Sequence, residues 1–150
     1  MPQMQTARHK MPILFSGQAQ KELTHNEALT VIDALINPVV IDEIAAPPVN
    51  LTENDAGKCW LVAPSAQDDW AGHDKKIAYW TGGSWRFLAA YDGMTIWNSA
   101  ISAYCFYKLG EWSSANNIND ATGGNVVDGE ARLAVNAILA LIRQIGLIRS

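Results

Sequence analysis

Apolar positions change their period along this chain, and the changes mark its elements. Ala28, Leu29, Ile32, Leu35 and Ile36 recur at helical spacing, so one apolar face of a helix is predicted there. Thr24 with Glu27 three residues on reads as a capping box for its start, and Leu23 with Ala28 as a weak staple. Asn37-Pro38 ends it, because the residue before proline is pushed out of the α region. Beyond Pro38 the runs become short, β-branched and aromatic. Strands are predicted at 39–41, 58–63, 77–80, 85–89, 94–97 and 103–107. Pro47-Pro48, the turn Asn54-Asp55-Ala56-Gly57 and a polar loop over 64–69 separate the first of them. A small antiparallel meander leaves one face open, and the helix is placed to cover it.

From Ser113 through Gly123-Gly124-Asn125 the chain turns to Ser, Asn, Asp and Gly, which is linker composition. A last helix follows, with Asp128 as its N-cap and Gly146 where a terminal left-handed glycine belongs. Ala131, Val135, Ile138, Ile142 and Ile145 are spaced 4, 3, 4, 3. That is a heptad seam with Val and Ile at a and with Ala and Ile at d, a pattern that favours three or more strands over two. Ala134 and Leu141 widen the stripe at g, and Ile148 extends it if the helix continues past Gly146. The fold predicted is α+β. An extended arm spans 1–16, a helix with an aromatic-rich β-meander 17–112, a flexible linker 113–127, and an oligomerising C-terminal helix 128–150. The interface residues are Val135, Ile138, Leu141, Ile142 and Ile145.

Twelve of the thirteen aromatic residues lie between Trp60 and Trp112, so recognition by aromatic surfaces belongs to the meander. Two segments there match at an offset of 27: Tyr79-Trp80-Thr81-Gly82-Gly83-Ser84-Trp85 and Phe106-Tyr107-Lys108-Leu109-Gly110-Glu111-Trp112. Each reads as a β-hairpin with an aromatic pair before the loop and a Trp after it. Trp and Tyr stack on sugar rings as readily as they fill a core. Trp80, Trp85, Tyr107 and Trp112 are therefore candidate carbohydrate contacts, and core packing is the competing role.

Composition narrows the classes. A net charge of −4 and a pI near 5.2 supply no basic stripe for phosphates, so no nucleic-acid partner is expected. Cys59 and Cys105 read as buried free thiols. The longest apolar run, Leu133 to Ile142, is half the ~20 residues of a membrane span, and no signal peptide is visible. Cytoplasmic synthesis without membrane insertion is expected.

Catalytic and cofactor motifs are missing from the sequence, and neither cofactor nor metal is expected. The nearest reactive cluster is Asp68-Asp69-Trp70-Ala71-Gly72-His73-Asp74. Its carboxylates suit a hard cation, and paired beside exposed Trp they also resemble a glycosidase cleft in composition. The competing role is local capping of backbone N–H groups. His25 and Asn26, placed at a helix start, read as caps.

The run Gly17-Gln18-Ala19-Gln20-Lys21 followed by Thr24-His25-Asn26-Glu27-Ala28-Leu29 is specific. With Met11-Pro12, Ala46-Pro47-Pro48, Trp70-Ala71-Gly72-His73-Asp74, Ile77-Ala78-Tyr79-Trp80 and the stretch from Asp128 to Ile148, it resembles the domain-of-unknown-function 2793 family. That family occurs in tailed phages, prophages and gene transfer agents of alphaproteobacteria, and carries no established catalytic residues. The resemblance implies a non-enzymatic virion protein, a head-spike base or fibre adaptor supporting host-surface attachment. It would be a homo-oligomer, trimer to pentamer, against a capsid vertex or fibre. Residues 6–22 are then expected to lie against another subunit or virion protein. The alternatives are a module binding capsular polysaccharide and, more weakly, a polysaccharide hydrolase using Asp68, Asp69 or Glu111.

Overall fold

The computed structural model describes residues 4–14, 21–124 and 128–149. The fold is α+β. Helix α1 (Lys21–Leu35) precedes strands β1 (Val39–Val40), β2 (Glu43–Ile44), β3 (Cys59–Val62), β4 (Ile77–Trp80) and β5 (Trp85–Leu88). Strands β6 (Thr95–Asn98), β7 (Ala103–Lys108) and β8 (Glu111–Ser114) follow, and helix α2 (Gly129–Gln144) comes last. The chain divides into two compact units, Met1–Ala90 and Tyr91–Ser150. The expected continuous meander over 17–112 is thus split: β2-β3-β4-β5 form one sheet, and β6-β7-β8 are neighbours in a second. Within the first, β2 runs parallel to β3 and the other pairs are antiparallel.

In the first unit, β3 and β4 are buried over nearly their whole length, as apolar runs without polar alternation require. On one sheet face Trp60, Val62 and Ala78 join Trp70, with Trp80, Trp85 and Phe87 packed around them. Trp85 meets Trp60, Trp70 and Trp80 at ring-centroid distances of 5.7, 5.1 and 4.9 Å. Trp70 is fully buried. The turn expected at Asn54-Asp55-Ala56-Gly57 forms, opening on a short 3-10 segment, Glu53–Asp55. Thr52 and Asp55 make a reciprocal capping box, and Lys58 Nζ lies 2.6 Å from Asp55 Oδ1. The Lys58 hydrogen bond, followed by those from Thr52, holds the Asp55 carboxyl at about 2.

Helix α1 lies by the opposite face, with contacts other than those expected. It begins at Lys21, so Thr24 and Glu27 are inside it and form no capping box. Glu27 Oε1 accepts from Arg86 Nε at 2.9 Å. Ile32 and Ile36, predicted to face the sheet, are exposed, and the buried residues are Asp33 and Ala34. The Asp33 carboxylate gathers the chain's first segment: Thr6 Oγ1 donates at 2.8 Å, the Arg8 amide at 2.8 Å and the His9 amide at 2.6 Å. His9 Nδ1 is at 3.1 Å and the Tyr79 hydroxyl at 3.4 Å. Arg8 also donates to the carbonyls of Asp33, Ala34 and Asn37 near the end of α1.

Residues 4–14, expected as part of an extended arm, therefore fold back on their own unit. A bridge between Gln5 and Pro12 closes the loop, and Asn26 exchanges two hydrogen bonds with the Leu14 backbone. The fit is close: a Cβ at Gly57 would meet Arg8 Cγ at 2.9 Å. Residues 6–14 thus contact α1 and the Gly57 turn, while 15–20 lie outside the described residues.

In the second unit β7 alternates, with Ala103 and Cys105 buried and Tyr104 and Phe106 exposed. Strand β8, over Glu111–Ser114, extends β-structure past residue 112 and into the expected linker. The β7–β8 hairpin turns on two residues, Leu109 and Gly110, with φ of 54° and 79°, the positive pair that such a tight turn needs.

Candidate assembly surface

Helix α2 forms where its pattern and caps predict. The Asp128 carboxylate accepts from the Ala131 amide at 2.9 Å, satisfying one of the free first-turn donors. At the other end Gly146 is left-handed (φ 73°). Its amide donates to Arg143 O and the Leu147 amide to Ile142 O, both at 2.9 Å, the paired bonds of a Schellman ending. A Cβ at Gly146 would run into the Trp97 indole, so only glycine fits. The helix stops here. Ile148, expected to prolong the apolar stripe, is buried beyond the helix.

The polar quadrant of α2 faces its own chain. Residues 115–124, expected as part of a flexible linker, have no regular structure but are tied to it along their length. Asn136 Oδ1 accepts from the Ala121 amide at 2.9 Å, and Arg132 Nη2 donates to Gly123 O at 2.6 Å. Arg143 reaches Asn117 Oδ1 at 2.9 Å, Asp120 Oδ1 at 2.8 Å and the Ile118 carbonyl. Residues 125–127 lie outside the described residues. Leu139 is buried on this side, whereas the predicted seam faces outward. Ile138 is 60% exposed, Leu141 55%, Ile145 47% and Val135 46%. Ile142 is half-buried. Apart from Ile142, the five candidate interface residues are exposed apolar side chains on one helix, the kind of surface that marks an interaction site when contiguous.

The four candidate sugar contacts divide by hairpin. Trp80 and Trp85 pair across β4–β5 and belong to the tryptophan cluster. Both are half-buried, and the Trp80 indole N–H donates to Thr52 O at 2.8 Å. Tyr107 and Trp112 pair across β7–β8 with ring centroids 5.1 Å apart and are also half-buried. The matching hairpins of the sequence thus give matching cross-strand aromatic pairs, one in each unit.

In the Asp68–Asp74 loop, Asp74 accepts from the Ser65 and Ala66 amides at 3.3 and 2.9 Å, which is the backbone-capping role. Asp68 and Asp69 sit in a short 3-10 turn that ends in the buried Trp70. The His73 ring stacks on Phe87 at 3.6 Å. Burial and then the charge of Lys76 lower its pKa. Among the described residues, no three His, Cys, Asp or Glu side chains come together as metal ligands. His25 is exposed within α1.

The Asp33 cluster is the site that sequence reasoning missed. Burial alone raises a carboxyl pKa, yet here the hydrogen bonds from the His9 and Arg8 amides and from Thr6 outweigh it and hold Asp33 below its ordinary value. Tyr79, buried and facing that carboxylate, is pushed up to about 12. Cys59 is raised by burial to about 12. Both cysteines are buried thiols.

Two sheet-bearing units and a helix that turns its apolar stripe to solvent define a small α+β protein. The model of the family described as Protein of unknown function (DUF2793) matches residues 25–113, more than half of the chain, and the chain belongs to that family. The match runs from α1 into β8. No curated protein matches the chain. Among the described residues no helix is long and apolar enough to cross a membrane.

Proposed function

We propose that this chain is a non-enzymatic structural protein of a tailed-phage or gene-transfer-agent particle. It serves as a head-spike base or fibre adaptor and works as a homo-oligomer of three to five copies. The observation that carries the reading is the exposed seam of α2, with Ile138 60% and Leu141 55% accessible in the single chain. Large aliphatic side chains in such a row gain by leaving water together. The heptad spacing, with β-branched residues at both a and d, suits three or more helices. The family resemblance supplies the virion setting. Attachment to the cell surface would then pass through a separate fibre held by the oligomer.

Sedimentation of induced producer lysates through a density gradient tests this. The chain is expected in the particle peak, together with the capsid and tail proteins. Recovery only among free soluble proteins, with particles intact, would overturn the virion role. The polysaccharide reading is tested in parallel by glycan binding of Trp112→Ala, which is expected to equal wild type.

A further inference from the structure

We propose that residues 115–124 act as a strap that fixes which face of α2 is presented, and that Arg143 is the positioning residue on which association with further copies of this chain depends. The proposal rests on the self-assembling reading above and names what controls it. A helix beside a sheet of its own unit would gain most by turning its apolar stripe inward. Here the stripe points out, and the strap supplies a reason. Residues 115–124 lie in no helix or strand and are almost all exposed, so water can serve their backbone, and what fixes their path is a set of bonds to side chains of α2. Arg132, Asn136 and Arg143, aligned on one face of α2, provide them.

Arg143 does most of this. Its guanidinium is a planar fork that serves the Asn117 amide oxygen, the Asp120 carboxylate and the Ile118 carbonyl together, which a lysine ammonium cannot match. Both ends of the arrangement are anchored in the same unit. The Tyr104 amide donates to Gly146 O at 2.9 Å, and the Arg149 amide to Ala115 O at 3.1 Å. Rotating the stripe inward would break the strap bonds and leave Arg143 facing away from its carboxylate.

The occupant of the presented face is a second copy of the chain. The helix carries only Glu130, Arg132 and Arg143 as charged residues, and both arginines are engaged on the strap. The stripe from Ala131 to Ile145 is therefore uncharged. A charged partner helix finds no counter-charge on it, whereas an identical stripe matches its polarity and meshes with its 4, 3, 4, 3 spacing.

Sedimentation equilibrium across a dilution series of the full chain, with far-UV circular dichroism at each point, tests the proposal. The variants are Arg143→Gln, Asp120→Asn, and Arg143→Glu combined with Asp120→Arg. Wild type is expected to associate. Arg143→Gln keeps its helix content but dissociates at about tenfold or more higher concentration, a shift of ~1.4 kcal/mol per tenfold. Asp120→Asn weakens association less, and the reversed pair recovers part of the loss. Arg143→Gln associating like wild type would overturn the strap's role while leaving self-assembly standing. Loss of helix content in step with association, without recovery by the reversed pair, would also overturn it. A monomeric wild type at micromolar concentration would instead remove the self-assembling reading, and this proposal with it.

Discussion

Replacing Asp33 by Ala takes one carboxylate out of a fully buried position and leaves three close donors behind: the Thr6 hydroxyl and the Arg8 and His9 amides, at 2.8, 2.8 and 2.6 Å. Each donor left unsatisfied in the interior costs about 1–3 kcal/mol. The cost is capped, because the 4–14 loop can lift into water once the penalty exceeds what its docking contributes. A loss of about 3–5 kcal/mol is expected, similar to breaking a buried charged partnership. For a unit of ordinary stability, about 5–15 kcal/mol, that is a large fraction. Asp33→Asn keeps the shape but turns one acceptor into a donor, and about 2 kcal/mol is expected from the lost charge-assisted bond. Urea unfolding at pH 7 measures both, and amide exchange at Arg8 and His9 reports whether the loop has come off. The pH dependence has a fixed sign. Because the folded carboxyl lies below its ordinary 3.8, its contribution is complete above that value and is lost as pH falls through the depressed one. The gap between wild type and Asp33→Asn should therefore close only below about pH 4. An Asp33→Ala protein within about 0.5 kcal/mol of wild type, with Arg8 and His9 still protected from exchange, would refute the claim that Asp33 holds the loop.

Asp128→Ala removes the N-cap of α2 and should cost about 1 kcal/mol of helix stability, read from thermal melts followed at 222 nm. Gly146→Ala must hold a left-handed residue and displace the Trp97 ring, so a loss of about 2 kcal/mol or more is expected. A change under about 0.5 kcal/mol would contradict the contact. The Cys59 thiol, raised to about 12, should resist iodoacetamide at pH 8 in the folded protein and react at the normal rate in urea.

Much of the second unit was legible. Strands β6 and β7, the Asp128 cap and the Gly146 ending all follow from local spacing, and the structure places them close to where the spacing puts them. What was hidden depends on contacts distant in sequence. Asp33 meets Thr6, Arg8 and His9 across 24–27 residues, and no periodicity signals a polar side chain that buries itself by collecting backbone donors. For the same reason periodicity turns the apolar face of α1 inward, whereas Ile32 and Ile36 are exposed. Composition makes the strap a linker because it has little to bury. It is held by hydrogen bonds to two arginines and an asparagine, which composition cannot register. Strand β8 escaped because Glu111-Trp112-Ser113-Ser114 has one apolar residue, and its pairing with β7 rather than its own propensity makes it a strand.

On the proposed reading, the exposed stripe of α2 is a surface for other copies of the same chain. Val135, Ile138, Leu141 and Ile145 each stand to gain part of the ~1.5–3 kcal/mol of full side-chain burial, and that gain opposes the ordering costs of binding. Native mass spectrometry of the full chain beside Ile138→Asp/Ile142→Asp tests this most directly. A wild-type mass three to five times the 16.4 kDa chain and a folded monomer for the double variant are expected. A monomeric wild type, or a double variant that assembles like wild type, would contradict it.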